Sequence, residues 1–355
     1  MKGIFEANNF RYKIDMQLKN VFITVFFITF SVSAFSQDTD NSNALKYTVT
    51  YDDPYDLSKL FIHFQPIIGD ISALNSIGGP GLEANYYYKN LLDFELSGRT
   101  SYTAAFDIAN NAGSLNAFND NALSTYYYGE IGGTYHIIDR TKASSSKILL
   151  YSKRLKGTEW AATVAKNAVI KNTVREIVGG RAGAMFYTTA VDLESTLAKQ
   201  EMELFYANGT VIDEYLYTNV FAYSAYIGGS MSWFKNFAVT FESRWEPNGD
   251  DLLMTTYLDV LYSPGITIDD LLVNNSKTKQ VETISLENIK RAPFGFRAGF
   301  KGKFNRSLGW GYGVETGLRP GVQKNGFFFT CKLSFPVFGT KLEQTVEAIN
   351  TETGE

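Results

Sequence analysis

Three successive segments between residues 294 and 337 alternate between bulky apolar residues and residues that are charged, small or glycine. Successive side chains of a β-strand point to opposite faces, so a period of two predicts strands rather than helices. The first segment starts at Phe294, and the next two repeat the pattern around Trp310 and Phe329. The alternation predicts an all-β fold, and the chain's 27 Phe, 22 Tyr and 30 Gly agree with it.

The one long apolar run, Val21–Phe35, is shorter than the ~20 residues that a membrane helix needs. A lysine precedes the run, and the small residues Ala34 and Ser36 end it in the manner of a secretory cleavage site. We therefore predict that residues 1–36 are a signal peptide, with Met16 as an alternative start. An uncleaved N-terminal anchor is the other interpretation. On the signal-peptide interpretation, we predict that the mature chain is exported.

An exported chain with no second apolar helix can still cross a membrane as a closed barrel, because closure leaves no unpaired strand edge in lipid. A soluble β-sandwich is the alternative. Bulky residues dominate one face of the strands, charges and glycines occupy the other, and tyrosines gather at Tyr86–Tyr88 and Tyr126–Tyr128. These features favour a transmembrane antiparallel up-and-down β-barrel with a polar lumen and aromatic girdles.

Short turns set the number of strands. Turns are predicted at Lys89–Asn90, Phe234–Asn236 and Asn305–Ser307, and outer-membrane barrels place their short turns in the periplasm. With the second and third turns on that side, an additional strand is needed between them, and Gln280–Glu287 is the candidate. Alternatively, Phe234–Asn236 is an unusually short outer turn. The count is 12 strands, or 14 if Gln280–Glu287 and Glu201–Tyr206 are both included. The sequence does not decide between these two numbers.

The remaining organisation follows from composition. Residues 37–59 form a polar N-terminal segment, residues 60–338 the barrel and residues 339–355 a polar periplasmic tail. Two stretches inside the barrel region, Gly157–Thr173 and Val191–Gln200, have helical composition and are predicted to belong to loops or caps.

Charged residues on the polar phase of the strands are predicted to line the lumen. A tight turn at Asn305–Ser307 would set Arg297 opposite Glu315, either as a structural ion pair, which we favour, or as a charged constriction that selects solutes. A column of glycines on the same face indicates either that bulk approaches from inside or that the wall bends sharply. The charged candidates are Arg297, Lys301, Lys303, Glu315, Arg319, Lys332, Glu242 and Arg244, and the glycine column is Gly309, Gly311, Gly313 and Gly317.

Several functional classes find no support in the sequence. A formal net charge of −4 gives no reason to expect nucleic acid as a partner. One Cys and two His leave little material for a metal centre, and we predict no metal and no cofactor. His63 is followed by Phe-Gln and His136 by Ile-Ile, so neither has the nearby serine of barrel hydrolases. We therefore predict that the chain is not an enzyme.

The residues Phe35-Ser36-Gln37 at the cleavage site, the Arg319–Gly321 loop and the Phe-rich last strand together resemble outer-membrane β-barrel proteins of the Bacteroidota. The resemblance implies a location in the cell outer membrane, in contact with its lipid. The leading functional prediction is a small channel or solute-uptake protein. The alternative is an occluded barrel that serves as an accessory or scaffold subunit of an outer-membrane transport, secretion or assembly complex, with another subunit as its partner.

Overall fold

The computed structural model describes residues 47–51, 60–89, 91–151, 154–156, 159–161, 166–212, 214–235, 237–241, 248–250, 252–275, 280–304, 310–322, 326–339 and 347–351. The predicted signal peptide, residues 1–36, lies outside this range. The described part is dominated by β-strands: β1 (Tyr47–Tyr51), β2 (Leu60–Ser72), β3 (Ser76–Tyr88), β4 (Leu92–Thr100), β5 (Tyr127–Tyr151), β6 (Arg154–Lys156), β7 (Glu159–Ala161), β8 (Lys166–Asp192), β9 (Tyr217–Phe234), β10 (Phe237–Phe241), β11 (Asn248–Asp250), β12 (Leu252–Ile268), β13 (Leu271–Asn275), β14 (Gln280–Ile284), β15 (Phe294–Phe304), β16 (Gly311–Leu318), β17 (Phe327–Gly339) and β18 (Glu347–Thr351).

Ten of these strands close into an antiparallel barrel in the order β2-β3-β4-β5-β8-β9-β12-β15-β16-β17, with β17 pairing back onto β2. Each barrel strand is bonded to the barrel strands that precede and follow it along the chain, which is the predicted up-and-down topology. The seam between β2 and β17 contains two register shifts, at Leu333/Phe335 and at Pro336/Phe338. Proline has no N–H to donate to a strand ladder, which is consistent with an irregularity at this point.

The barrel is apolar outside and polar inside. Phe296 is 45% exposed and Trp310 is 49% exposed, whereas Arg297, between two outward-facing neighbours, is 1% exposed. Outward aromatic residues gather towards both ends of the strands. Those near one end are Tyr86, Tyr88, Tyr135 and Trp310, and those near the other are Tyr127, Tyr223, Tyr262, Phe294 and Phe327.

The predicted count of 12 or 14 strands is wrong, and the barrel has ten. The main reason is Phe237–Phe241, which alternates like a barrel strand but leaves the barrel. As β10 it pairs with β1 and β11, and β1 also pairs with β18, in a separate four-stranded sheet. Strands β9 and β12 are therefore direct antiparallel neighbours, and the parity of the strands is satisfied without an insertion.

The other proposed extra strands also lie outside the barrel. Gln280–Ile284 is a strand, but it pairs with Leu271–Asn275 in a two-stranded hairpin. Glu201–Tyr206 follows a helix and makes only an isolated bridge, between Phe205 and Val211. The expected helical composition of Gly157–Thr173 is also wrong for its described residues, because 159–161 and 166–173 are strand.

The strands leave the barrel at two different ends. At the first, which we call the turn end, β3 connects to β4 and β15 connects to β16 over few residues. At the opposite end, which we call the cap end, long connections fold into a compact cap. The cap contains a 3-10 turn (Ala104–Phe106) and two short helices, α1 (Ile108–Asn116) and α2 (Leu193–Gln200). Among the described residues, no helix combines the length and apolar character needed to span a bilayer.

Side-chain caps explain where the two helices begin. Asp107 accepts a hydrogen bond from the Asn110 N–H at 3.2 Å, and Asp192 accepts one from the Glu194 N–H at 3.0 Å. The α2 helix ends at Glu201, which adopts the left-handed conformation with φ 58°. The cap packs on a continuous apolar core at this end of the barrel, which includes Tyr187, Leu193, Leu216, Leu261, Leu271 and Leu286.

Candidate functional site: the closed lumen

The middle of the barrel is crossed by a chain of ion pairs, which we call the central network. It runs through Glu130, Arg297, Asp259, Arg181, Glu95 and Lys301. The Arg297 Nε lies 2.8 Å from Asp259 Oδ2, and the Arg181 Nε lies 3.2 Å from Asp259 Oδ1. Lys301 is the last member of the central network, and its Nζ lies 2.6 Å from Glu95 Oε2. Each charge in the network therefore has an oppositely charged partner.

The central network joins opposite walls. Lys301 lies on β15 and Glu95 on β4, and five steps around the ten-stranded barrel separate these strands in either direction. An ion pair between such strands must pass through the barrel axis. It therefore occupies the space that an open pore would need.

A second cluster surrounds the Asp70 carboxylate, nearer the cap end. Arg319 donates from Nη2 to Asp70 Oδ2 at 2.8 Å, and Arg99 lies 3.5 Å from the same oxygen. Two hydroxyls also reach this oxygen, Tyr126 at 3.1 Å and Thr330 at 3.2 Å. Tyr126 precedes β5, outside the barrel strands. Burial, and next the negative charge of Asp70, raise the pKa of Tyr126 to about 12.

Aromatic rings fill the space between the charges. The Arg181 guanidinium lies 4.1 Å from the centre of the Tyr257 ring, and the Arg297 guanidinium lies 4.4 Å from the centre of the Tyr226 ring. Glycines make room for these rings, because a Cβ at Gly299 would stand 2.1 Å from the Tyr257 ring. The alternation of large rings and glycines packs the narrow interior.

The turn end is closed by a small apolar cluster of Phe61, Tyr87, Ile177, Phe234 and Leu253. Between this cluster and the central network, Lys332 donates to Glu83 Oε2 at 2.7 Å, and Gln65 donates to the same oxygen at 2.8 Å. The described part of the lumen thus has three layers: the apolar cap core, the ion pairs and this apolar cluster.

The structure places the predicted charged candidates that it describes on the inner wall. Arg297, Lys303, Glu315 and Arg319 are buried, and Lys301 and Lys332 are mostly covered. Of the glycine column, Gly311, Gly313 and Gly317 are buried on β16, where a Cβ at Gly313 would meet the Lys332 side chain. Glu242, Arg244 and Gly309 lie outside the described residues.

The predicted pairing of Arg297 with Glu315 is wrong. Arg297 is opposite Gly317, and Glu315 is opposite Gly299. The connection between β15 and β16 is longer than the tight turn assumed, and the register moves by two residues. A shift of two keeps every side chain on its predicted face, so both charges still point inward. Glu315 instead accepts a hydrogen bond from the Tyr257 hydroxyl at 2.8 Å.

Sequence reasoning missed most partners of the predicted bases, including Asp70, Glu83, Glu95, Glu130 and Asp259. A signal for them exists. Asp259 stands between Leu258 and Val260, and each of those neighbours is more than half exposed on the outer wall. A lone charge between two outward apolar residues on an alternating strand marks an inward position. What the sequence does not show is which distant charge it will meet.

Comparisons with known proteins add little to this picture. No protein-family model matches the chain, and no curated protein sequence matches it. Among solved structures, a deltaS2S3 mutant of the TodX monoaromatic hydrocarbon channel is 10% identical, with 83% of this chain and 91% of that chain covered and a TM-score of 0.16. The P. putida toluene transporter TodX is also 10% identical, with 88% and 92% covered and a TM-score of 0.14. Such scores carry no argument, and the strand pairing alone defines the fold.

Proposed function

We propose that this chain is an integral outer-membrane β-barrel with a closed lumen, which serves as an accessory or scaffold subunit of an outer-membrane complex. The outer wall supports the membrane part of the proposal. Large apolar side chains cover it on all ten strands, and aromatic residues concentrate near both ends, as a barrel in lipid requires. The Bacteroidota origin rests on the sequence resemblance alone.

One observation carries the closed lumen. Arg297 is 1% exposed in the middle of the barrel, and its guanidinium bonds to both Glu130 and Asp259. An arginine in a water-filled pore would keep part of its surface in contact with solvent. Apolar layers of described residues lie on both sides of it, and these layers support a lumen without a continuous path for solvent.

The orientation follows from the two ends. In known outer-membrane barrels the short turns face the periplasm and the longer connections face outward. We therefore assign the turn end to the periplasm and the cap end to the exterior. The elaborate cap would then be the surface that is presented outside the cell.

A small channel is the second candidate function, and the polar interior favours it. Single-molecule conductance in planar bilayers separates the two proposals. We expect the wild-type barrel to be silent, and the double variant Arg297→Ser with Lys301→Ser to be silent as well, because the apolar layers on both sides of the central network remain in place. The matched control is Arg140→Ser, since the Arg140 side chain is 52% exposed.

Each outcome has a defined meaning once heat-modifiable migration shows that the proteins are folded. Steady conductance of the wild type would overturn the closed lumen and favour the channel. A silent wild type that reproducibly retains another membrane subunit after detergent extraction supports the scaffold. A silent wild type that retains no other subunit contradicts the scaffold. Extraction from the native membrane without detergent would contradict the membrane location itself.

A further inference from the structure

A small cavity lies inside the barrel towards the turn end. It encloses about 20 Å³, and three lysines line it: Lys301, Lys303 and Lys332. Its other charged lining residue is Glu83, and His63 and Ser334 contribute polar groups. A volume of this size accepts one water molecule or one monatomic ion, and it is too small for phosphate or a carboxylic acid.

Lys303 differs from the other bases of the lumen. Among the described residues, Arg99, Arg181, Arg297, Lys301, Arg319 and Lys332 each pair with a carboxylate. Lys303 is 8% exposed, donates to the neutral Asn85 amide oxygen and lies 4.5 Å from the centre of the Phe61 ring. A buried ammonium without a counter-charge is strongly disfavoured, so Lys303 either loses its proton or takes up an anion.

A second and independent observation comes from His63. This residue is 2% exposed, and its Nε2 has no hydrogen-bond partner among the described residues. Buried polar atoms in native proteins nearly always have a partner. In the tautomer that carries the proton on Nε2, the imidazole donates a hydrogen bond to whatever occupies the cavity.

We propose that this cavity binds a single monatomic anion of the halide class, held by the Lys303 ammonium and the His63 N–H. The anion supplies the missing counter-charge for Lys303 and a partner for the imidazole. Lys301 and Lys332 add positive potential from either side, although each already has a carboxylate partner. The proposal depends on the closed barrel and is independent of the scaffold role.

Two measurements test it on the full-length folded protein in detergent. Crystals soaked in sodium bromide are expected to show an anomalous bromide peak in the cavity, within hydrogen-bonding distance of Lys303. In solution, chloride or bromide is expected to raise the melting midpoint by about 2 °C or more relative to gluconate at equal ionic strength.

The Lys303→Met variant removes the charge and keeps the side-chain volume, so both the peak and the halide-dependent shift should disappear. Lys199→Met, on the exposed surface of α2, is the matched control and should keep both. A wild-type map with water alone in the cavity, or an equal halide shift in Lys303→Met and the wild type, would overturn the proposal. If Lys303→Met does not fold, His63→Phe replaces it, with the same losses expected.

Discussion

The Arg297 guanidinium and the Glu130 carboxylate face each other across the lumen and form a two-pronged ion pair, with Nη2 to Oε1 at 2.5 Å and Nη1 to Oε2 at 2.8 Å. The two residues are 167 positions apart in sequence and lie on β15 and β5, which are not neighbours. Bidentate pairing of this kind fixes geometry as well as charge. The pair therefore acts as a tie between two walls of the barrel.

Loss of one partner should destabilise the barrel strongly. Arg297→Met leaves the Glu130 and Asp259 carboxylates buried without this cation, and we expect a loss of about 3–5 kcal/mol in the free energy of unfolding. Urea unfolding in detergent, followed by tryptophan fluorescence, measures it. The double variant Arg297→Met with Glu130→Gln should recover part of the loss. Arg140→Met removes a cation whose side chain is half exposed and leaves Glu176 paired with Lys142, so it should cost much less than Arg297→Met. Equal losses of unfolding free energy in Arg297→Met and Arg140→Met would contradict a stabilising role for the Arg297–Glu130 pair.

The packing of Tyr257 against glycine gives a second prediction. Gly299→Ala should displace the Tyr257 ring, weaken its hydrogen bond to Glu315 and cost about 1–3 kcal/mol. Gly229→Ala is the control, because the nearest atom to its Cβ would be 3.7 Å away. The same unfolding assay compares the two variants. A Gly299→Ala protein as stable as the control would show that the ring has room to move.

The apolar wall gives a third prediction, directed at the membrane itself. Leu258 is 59% exposed in the middle of β12, and Leu258→Arg should reduce the stability of the barrel in lipid vesicles by about 2–4 kcal/mol. Leu115 on the cap helix α1 is 75% exposed, and Leu115→Arg should change stability little. A water-soluble barrel would tolerate both substitutions, so equal stabilities of the two variants in vesicles would argue against a membrane barrel.

Tyr126 predicts a pH dependence at the cap end. Burial and the negative charge of Asp70 raise the pKa of Tyr126 to about 12 in the folded protein, above the usual tyrosine value of 10.0. The folded state therefore holds this proton more tightly than the unfolded state. The stabilisation is complete below pH 10 and is lost as the pH rises towards 12. The difference in unfolding free energy between the wild type and Tyr126→Phe should shrink by up to about 2 kcal/mol across this window. A constant difference across the window would exclude this linkage.

The alternation of side chains correctly predicts the face to which each residue points, because the two-residue period of a strand fixes that direction. Phe296, Arg297 and Trp310 lie on the faces that the pattern indicates. Alternation does not report pairing partners, so it does not distinguish Phe237–Phe241, which bonds to β1 outside the barrel, from the true barrel strands. For this reason the sequence pattern predicts more barrel strands than the ten that the structure contains.

The long-range contacts within the lumen also cannot be predicted from the alternation of side chains. The length of one connection sets the register of β15 against β16, and a change of two residues replaces the expected Arg297–Glu315 pair without altering the face to which either residue points. The choice of Glu130 as the partner of Arg297 depends on barrel closure and diameter, which are properties of all ten strands together. A local sequence pattern contains no information about either.

The irregular seam between β2 and β17 also bears on how the barrel comes into existence. These are the first and last barrel strands, and Arg319–Asp70 and Lys332–Glu83 join groups that lie on opposite sides of this seam along the chain. Neither the hydrogen-bond ladder of this seam nor the Lys332–Glu83 pair can form until Phe327–Gly339 has been synthesised and delivered. The last strand thus completes the wall and supplies the Lys332 partner of Glu83 in the same step. A nascent chain that stops before it would expose an open strand edge and leave the Glu83 carboxylate without this cation.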